Sequence, residues 1–240
     1  MESRDGVCDT DDMDAAISLE PLAEDVWTVN AEARALGVSI GHRMTVVRRK
    51  SGGLVLHSPV AYSDELVRVL TELGPIEHWI APSRTHDLHL DEWFEHLPGA
   101  ATWGAPKLRK PHPEWSFTGW LAEDLDAPWR DEFDLLPLEG APRLGEWVFL
   151  HRPSRTAICA DVLFNLGRGG RGVDGLLQRV LGIRGEARAD RLLLLVIKDR
   201  KAWNASLRRM LEWDFERLVV GHGTPITEDP KSKLREAWRL

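Results

Sequence analysis

The sequence predicts a mixed α/β domain built as a four-layer sandwich rather than a purely parallel doubly wound sheet. Short apolar runs bounded by glycine and proline recur along the chain and read as buried strands. Segments of helical spacing lie between them. Strands and helices fall into two strand-rich blocks, each broken by helices, which suits stacked layers. At 240 residues, with 43% apolar and 29% charged content, the chain can bury one such core.

The elements follow in order. Residues 1–18 hold five aspartates and little that packs, so they read as a disordered acidic leader that folding does not require. The folded domain is expected over 19–240. Val26 to Val29 reads as a first strand. Arg43 to Arg49 and Leu54 to Ser58 form a hairpin around Ser51-Gly52-Gly53. Ser63 caps a helix from Asp64 to Leu73, whose apolar positions Leu66, Val67, Leu70 and Leu73 share a face. A strand over Ile76 to Ala81 and a short helix over Asp91 to His96 come next. Ala101 to Gly104 suits a strand. Residues 106–131, rich in proline and tryptophan, read as an ordered loop with helical turns. Trp103, Trp115, Trp120 and Trp129 would either line an apolar substrate groove or pack this region down, and packing is the expectation. Leu135 to Leu138 resumes a strand. Glu146 to His151 and Thr156 to Ala160 make a second hairpin, and 167–172 a flexible loop. Helices over Val173 to Leu181 and Lys201 to Glu212, a strand over Phe215 to Val220 and a helix over Asp229 to Arg239 complete the chain.

Composition excludes several classes. A net charge of −7 argues against general nucleic-acid binding. The longest apolar run, Leu192 to Ile197, is too short to span a bilayer, and no signal pattern opens the chain, so no membrane partner is expected. Two cysteines, Cys8 in a polar tail and Cys159 in an apolar strand, indicate no disulfide framework, and a cytoplasmic setting is the expectation. Gly167 to Gly172 lacks the Lys-Ser/Thr of a phosphate-binding loop. Ser154 does not sit in a Gly-x-Ser-x-Gly elbow.

Chemistry-bearing residues gather at strand ends, where α/β sheets keep their sites. Leu218-Val219-Val220 runs into His222, held between Gly221 and Gly223. Ile80-Ala81-Pro82-Ser83 leads into His86, Asp87, His89 and Asp91. Ala157-Ile158-Cys159-Ala160 leads into Asp161. Histidine and aspartate suit zinc, iron or manganese. His86, Asp161 and His222, with His89, Asp87 or Asp91 as a fourth, form a candidate site for one divalent ion, zinc by preference. Asp87 or Asp91 would orient water as the catalytic carboxylate. The plainer alternative is a set of hydrogen-bonded histidines and a capping aspartate without metal. His151 reads as a core or rim residue. His42, His78, His96 and His112 read as surface residues.

The ordered motifs RMTVVR, LVLHSP, IAPSRTH, SRTAICADVLFN and VVGHGTPI resemble an uncharacterised domain family of metallo-β-lactamase-like proteins, from about Leu19 to the C-terminus. The resemblance implies an αββα sandwich with a metal cleft at the edge between two sheets. CADVLF is similar to the bridging-aspartate element, which places Asp161 there. GHG is similar to the last-histidine element, which places His222 there. His57 and Ser58 end a strand beside that cleft, where they would either hydrogen-bond to the ligands from behind or complete the core. Two departures stand out. The loop Ser83 to Asp91 lacks the regular His-x-His-x-Asp-His, and the middle histidine falls near Gly140-Ala141-Pro142, where nothing binds metal.

Three functions follow as expectations. The first is a metal-dependent hydrolase of a small-molecule ester, amide or phosphoester. The second is a metal-free, non-catalytic module that binds a small molecule or a protein. The third is a redox protein holding iron in the same pocket.

Overall fold

The computed structural model describes residues 18–240. All but the last residue of the expected leader, Cys8 included, lies outside the described residues. In chain order the elements are β1 (Leu19–Ala23), β2 (Val26–Ala31), β3 (Arg34–Ala35), β4 (Val38–Ser39), β5 (His42–Arg48), β6 (Leu54–His57), α1 (Asp64–Thr71), β7 (Ile76–Ala81), α2 (Leu90–His96), β8 (Ala101–Gly104), β9 (Gly119–Trp120), β10 (Phe133–Pro137), β11 (Trp147–His151), β12 (Thr156–Ile158), β13 (Phe164–Asn165), α3 (Gly172–Leu181), α4 (Arg191–Val196), α5 (Arg200–Glu212), β14 (Arg217–Val219), β15 (His222–Gly223) and α6 (Pro230–Trp238).

One sheet has the order β1-β2-β5-β6-β7-β8-β9. It is antiparallel from β1 to β6 and parallel from β6 to β9. The second has the order β10-β11-β12-β14, with β12 and β14 parallel. Side-chain alternation sorts the layers. Phe133, Leu135, Trp147, Phe149, Ile158 and Val219 face the first sheet's core. Their sequence neighbours Leu136, Val148, Leu150, Ala157 and Leu218 face the opposite way, onto Trp203, Leu207 and Met210 of α5 and Trp238 of α6. Leu66 and Leu70 of α1 and Trp93 of α2 cover the outer face of the first sheet. The result is the helix-sheet-sheet-helix order that the motifs implied. Among the described residues no helix is long and apolar enough to cross a membrane.

Ser63 caps α1, accepting from the Leu66 amide at 3.1 Å. The middle segment carries one 3-10 turn, Pro106–Leu108, and the short β9. Trp103, Trp115 and Trp129 are buried there, and Trp120 is half-buried beneath the Arg109 guanidinium at 4.6 Å. The apolar run at Leu192, which shows no helical period, forms the short α4; Asp190 caps it, accepting from the Leu192 amide at 2.9 Å. Cys159 is buried and makes no disulfide among the described residues.

Two of the four histidines expected on the surface are buried instead. His42 is 5% and His78 6% exposed. His78 lies on β7, a strand with neighbours on both sides, and Trp103 Nε1 donates to its Nδ1 at 3.4 Å. His42 opens β5 under the site. His96 is exposed and His112 half-buried.

Candidate metal centre

His222 is placed by backbone contacts to β5. The Arg43 amide donates to the Gly221 carbonyl at 2.8 Å. Arg43, itself buried, also donates from Nε to the Gly223 carbonyl at 2.8 Å. The two glycines serve different needs. Gly223 has φ +93, a conformation that side chains avoid. Gly221 has an ordinary φ but packs tightly: a Cβ there would lie 2.6 Å from His86 Cε1 and 2.7 Å from the Ala160 carbonyl. Gly221→Ala should therefore displace the His86 ring, costing about 1–3 kcal/mol of stability. Thermal melts and metal titration check this; unchanged metal affinity would mean that the ring is free to move aside.

His86, Asp161 and His222 converge, each offering an atom within 4.8 Å of the others. His222 Nε2 lies 3.2 Å and His86 Nε2 3.6 Å from Asp161 Oδ1. His222 Nδ1 sits 2.7 Å from the Gly41 carbonyl. A carbonyl only accepts, so Nδ1 carries a proton, and in the neutral tautomer the Nε2 lone pair is turned toward Asp161. Two acceptors then face each other, an arrangement that needs a cation or a proton between them. Behind His86, Nδ1 lies 2.5 Å from Ser58 Oγ, which is 2.8 Å from His42 Nε2. When His86 donates into Ser58 and Ser58 into His42, His86 Nε2 is also a lone pair. That nitrogen is buried without a hydrogen-bond partner in the structure. Ser58 holds this position at φ +58, a strained conformation for serine.

Asp161 is oriented from both sides. Thr85 Oγ1 donates to its Oδ2, leaving Oδ1 to the histidines. The Glu146 carboxylate accepts the amides of Ala160 at 2.7 Å and Asp161 at 3.1 Å. Burial drives the Asp161 carboxyl upward, but charge and hydrogen-bond donation from the His86 and His222 rings outweigh it and hold it well below the usual range; with lone pairs turned inward instead, that role falls to a cation. Burial, with the Asp161 charge, pushes Glu146 up to about 8. Burial, with His86 nearby, holds His42 well below the ordinary histidine value, so the ring is neutral.

The other candidates sit elsewhere. Asp87 Oδ2 pairs with His112 Nε2 at 3.0 Å, and Asp91 Oδ1 accepts from Trp115 Nε1 at 2.5 Å. Both carboxylates tie down the tryptophan-rich segment and stand outside the three-residue group. His89 stacks on His42 with centroids 6.1 Å apart and is likewise outside the group. Asp161 caps no following turn. His57 packs edge-on against Phe149 at 5.0 Å, and its Nε2 has no partner. Of the two residues expected behind the ligands, only Ser58 makes the contact. Three neighbours of the site were not foreseen as such. His42 lies in a polar glycine-flanked stretch. Thr85 has no distinguishing context. Glu146 heads the apolar run Trp147 to Leu150, and a carboxylate in that place is the one signal sequence offered.

His57 sets a pH dependence. Burial, with His86 nearby, lowers its pKa to about 3. Between the ordinary 6.5 and that value the unfolded chain binds a proton that the native chain lacks. Its contribution is intact above 6.5 and lost as pH falls toward 3, at about 1.4 kcal/mol per pH unit. His57→Leu should keep stability at pH 7 and remove one proton from the acid slope, measured by denaturant titrations from pH 7 to 4. An unchanged slope would assign the acid sensitivity to other groups.

The two stacked sheets between helical layers, with a two-histidine, one-aspartate cluster at their strand ends, are those of a protein of the metallo-β-lactamase fold. Residues 23–173 match the model of a domain of unknown function, DUF4336, and the chain belongs to that family. No curated protein sequence matches it. Solved structures agree on the fold. A metallo-beta-lactamase from Pontibacter korlensis superposes with a TM-score of 0.65 at 13% identity, over 93% of this chain and 99% of that one. One from Hirschia baltica gives 0.65 at 14%, over 93% and 96%. A metal-soaked flavodiiron core from Synechocystis sp. gives 0.66 at 14%, over 93% of this chain and 60% of that one.

Proposed function

We propose that the protein is a metal-dependent hydrolase in which His86, Asp161 and His222 hold one divalent ion, zinc by preference. The observation that carries this is the orphaned, buried His86 Nε2 facing Asp161 beside a His222 ring whose tautomer also points a lone pair inward. The spacing fits: a tetrahedral zinc with ligands at about 2.1 Å sets them about 3.4 Å apart, and the two histidines stand 3.6 and 3.2 Å from Asp161 Oδ1. Three protein ligands leave a fourth position for water. When bound, such an ion supplies a nucleophilic water at neutral pH and polarises the substrate oxygen.

The chain's own residues do the rest. Gly41 and Ser58 hold the two imidazoles in register, as outer partners of metal histidines do. Thr85 and the Glu146-bound amides fix Asp161. Overall, water's oxygen bonds to the acyl carbon or phosphorus, the ester, amide or phosphoester bond breaks, and the proton leaves with the departing group. Beside Asp161 a pocket of about 180 Å³, walled by Leu144, Phe164, Leu192, Leu193 and Val196, offers room for a substrate group.

Elemental analysis of protein purified without added metal, followed by assays on aryl esters, anilides and phosphodiesters, tests this reading. One zinc or manganese per chain with chelator-sensitive turnover supports it. Iron in the site would favour a redox role, the reading to which the likeness to a flavodiiron core belongs. No metal would favour the non-catalytic binding module, the reading suited to a chain whose middle histidine is missing.

A further inference from the structure

Besides the pocket next to Asp161, the structure holds a second cleft of different chemistry. It has a volume of about 680 Å³ and is lined by Arg84, Lys107 and Lys110 with Pro106, Pro111 and Pro142. The backbone links the two. Arg84 precedes Thr85, which lines the apolar pocket and donates to Asp161. The Arg84 amide donates to the carbonyl of Leu144, an apolar-pocket wall, at 3.0 Å. The cleft contains three cationic side chains and no carboxylate, in a chain of net charge −7. Among the described residues none of the three forms an ion pair, although most arginines nearer β1 and β2 do. Cations gathered without counter-charge repel one another and raise the local concentration of anions. The walls are preset: three prolines restrict the backbone, and the Lys107 stem lies against Gly145, at φ +60, where a Cβ would collide with it.

We propose that the substrate is an amphipathic anion. A phosphate or carboxylate group would occupy the Arg84–Lys107–Lys110 cleft, and a short aliphatic group the pocket walled by Leu144, Phe164 and Leu193. The hydrolysed bond would lie between them, at the His86–Asp161–His222 cluster. This rests on the hydrolase reading for the bond that breaks, but the two subsites are independent of the metal. The apolar pocket holds about six groups the size of a water molecule, each about 30 Å³, which limits the aliphatic group to roughly four to six carbons. Arginine supplies a planar fork for an oxyanion, and the lysines supply mobile point charges.

Alkylphosphonates, which cannot be hydrolysed, test it. Methyl-, butyl- and octylphosphonate are titrated calorimetrically into chelator-treated, desalted protein and into the R84Q/K107Q/K110Q variant, whose changes are all at exposed positions. Butylphosphonate should bind at least ten-fold tighter than methylphosphonate, octylphosphonate should gain less than ten-fold more, and the variant should lose at least ten-fold for butylphosphonate. Any of these three comparisons falling on the other side of ten-fold overturns the proposal. Zinc and manganese content of the untreated protein is measured in parallel. Absence of both with intact phosphonate binding would refute the hydrolase reading and leave the anion site standing. Bound zinc with no charge-dependent binding would do the reverse.

Discussion

His222→Ala is expected to take bound metal from one ion per chain to none while the protein stays folded. The ring is held by the Gly41 carbonyl on one side and stacked on Phe164 at 4.6 Å on the other, yet it belongs to a two-stranded ladder rather than to either main core. Truncation removes one stack and one hydrogen bond, a loss of about 1–3 kcal/mol. The turn itself persists, because Arg43 holds Gly221 and Gly223 through their carbonyls. Loss of the ion should lower the melting temperature further, and chelator should reproduce that part in the parent protein but not in the variant. Metal content and melting with and without chelator read both effects. A comparison at His112, which pairs with Asp87 outside the cluster, should leave metal content unchanged. A parent chain without metal, destabilised by His222→Ala and indifferent to chelator, would make the histidine structural and the protein a binding module.

Much of this architecture could be read from residues alone, and the reasons are local. The β5–β6 hairpin, α1, β7, the β11–β12 hairpin, α5 and α6 each carry a period or a cap within a dozen residues. His86, Asp161 and His222 were visible for a similar reason: each follows an apolar run that ends at a turn. What escaped depends on distant partners. α4 shows six residues without helical period, and its existence rests on the Asp190 cap and on Leu193 reaching the second core. β1 is an edge strand containing Pro21, tolerated because only β2 pairs with it. Asp87 and Asp91 lie close to His86 in sequence, but the partners of their hydrogen bonds, His112 and Trp115, are 25 and 24 residues away and no local pattern announces them. His42 looked exposed, because nothing in its neighbourhood announces that Ser58 will bridge it to His86.

Glu146→Ala should harm both stability and the site, more than its distance in sequence from the proposed ligands suggests. The carboxylate is 1% exposed and accepts two amides, those of Ala160 and Asp161. Removing it leaves two buried donors unpaired, at about 1–3 kcal/mol each. Its burial and its repulsion from Asp161, seen in a pKa raised to about 8, offset part of that loss. A net destabilisation of about 2–4 kcal/mol is therefore expected. The functional consequence follows from the same two bonds. They hold the backbone from which Asp161 projects, so Oδ1 loses its fixed place between His86 and His222. Support of this kind is worth about ten- to a hundred-fold in metal affinity. Denaturant unfolding and zinc competition titration measure the two effects. Glu139→Ala, at an exposed carboxylate in the turn after β10, should change neither. Gln at 146 separates charge from geometry: its amide oxygen can still accept from one backbone donor, while its amide nitrogen faces the other. Metal affinity should then fall between parent and Ala variant. Parent-like affinity in both variants would mean that Thr85 alone is enough to hold Asp161 in place.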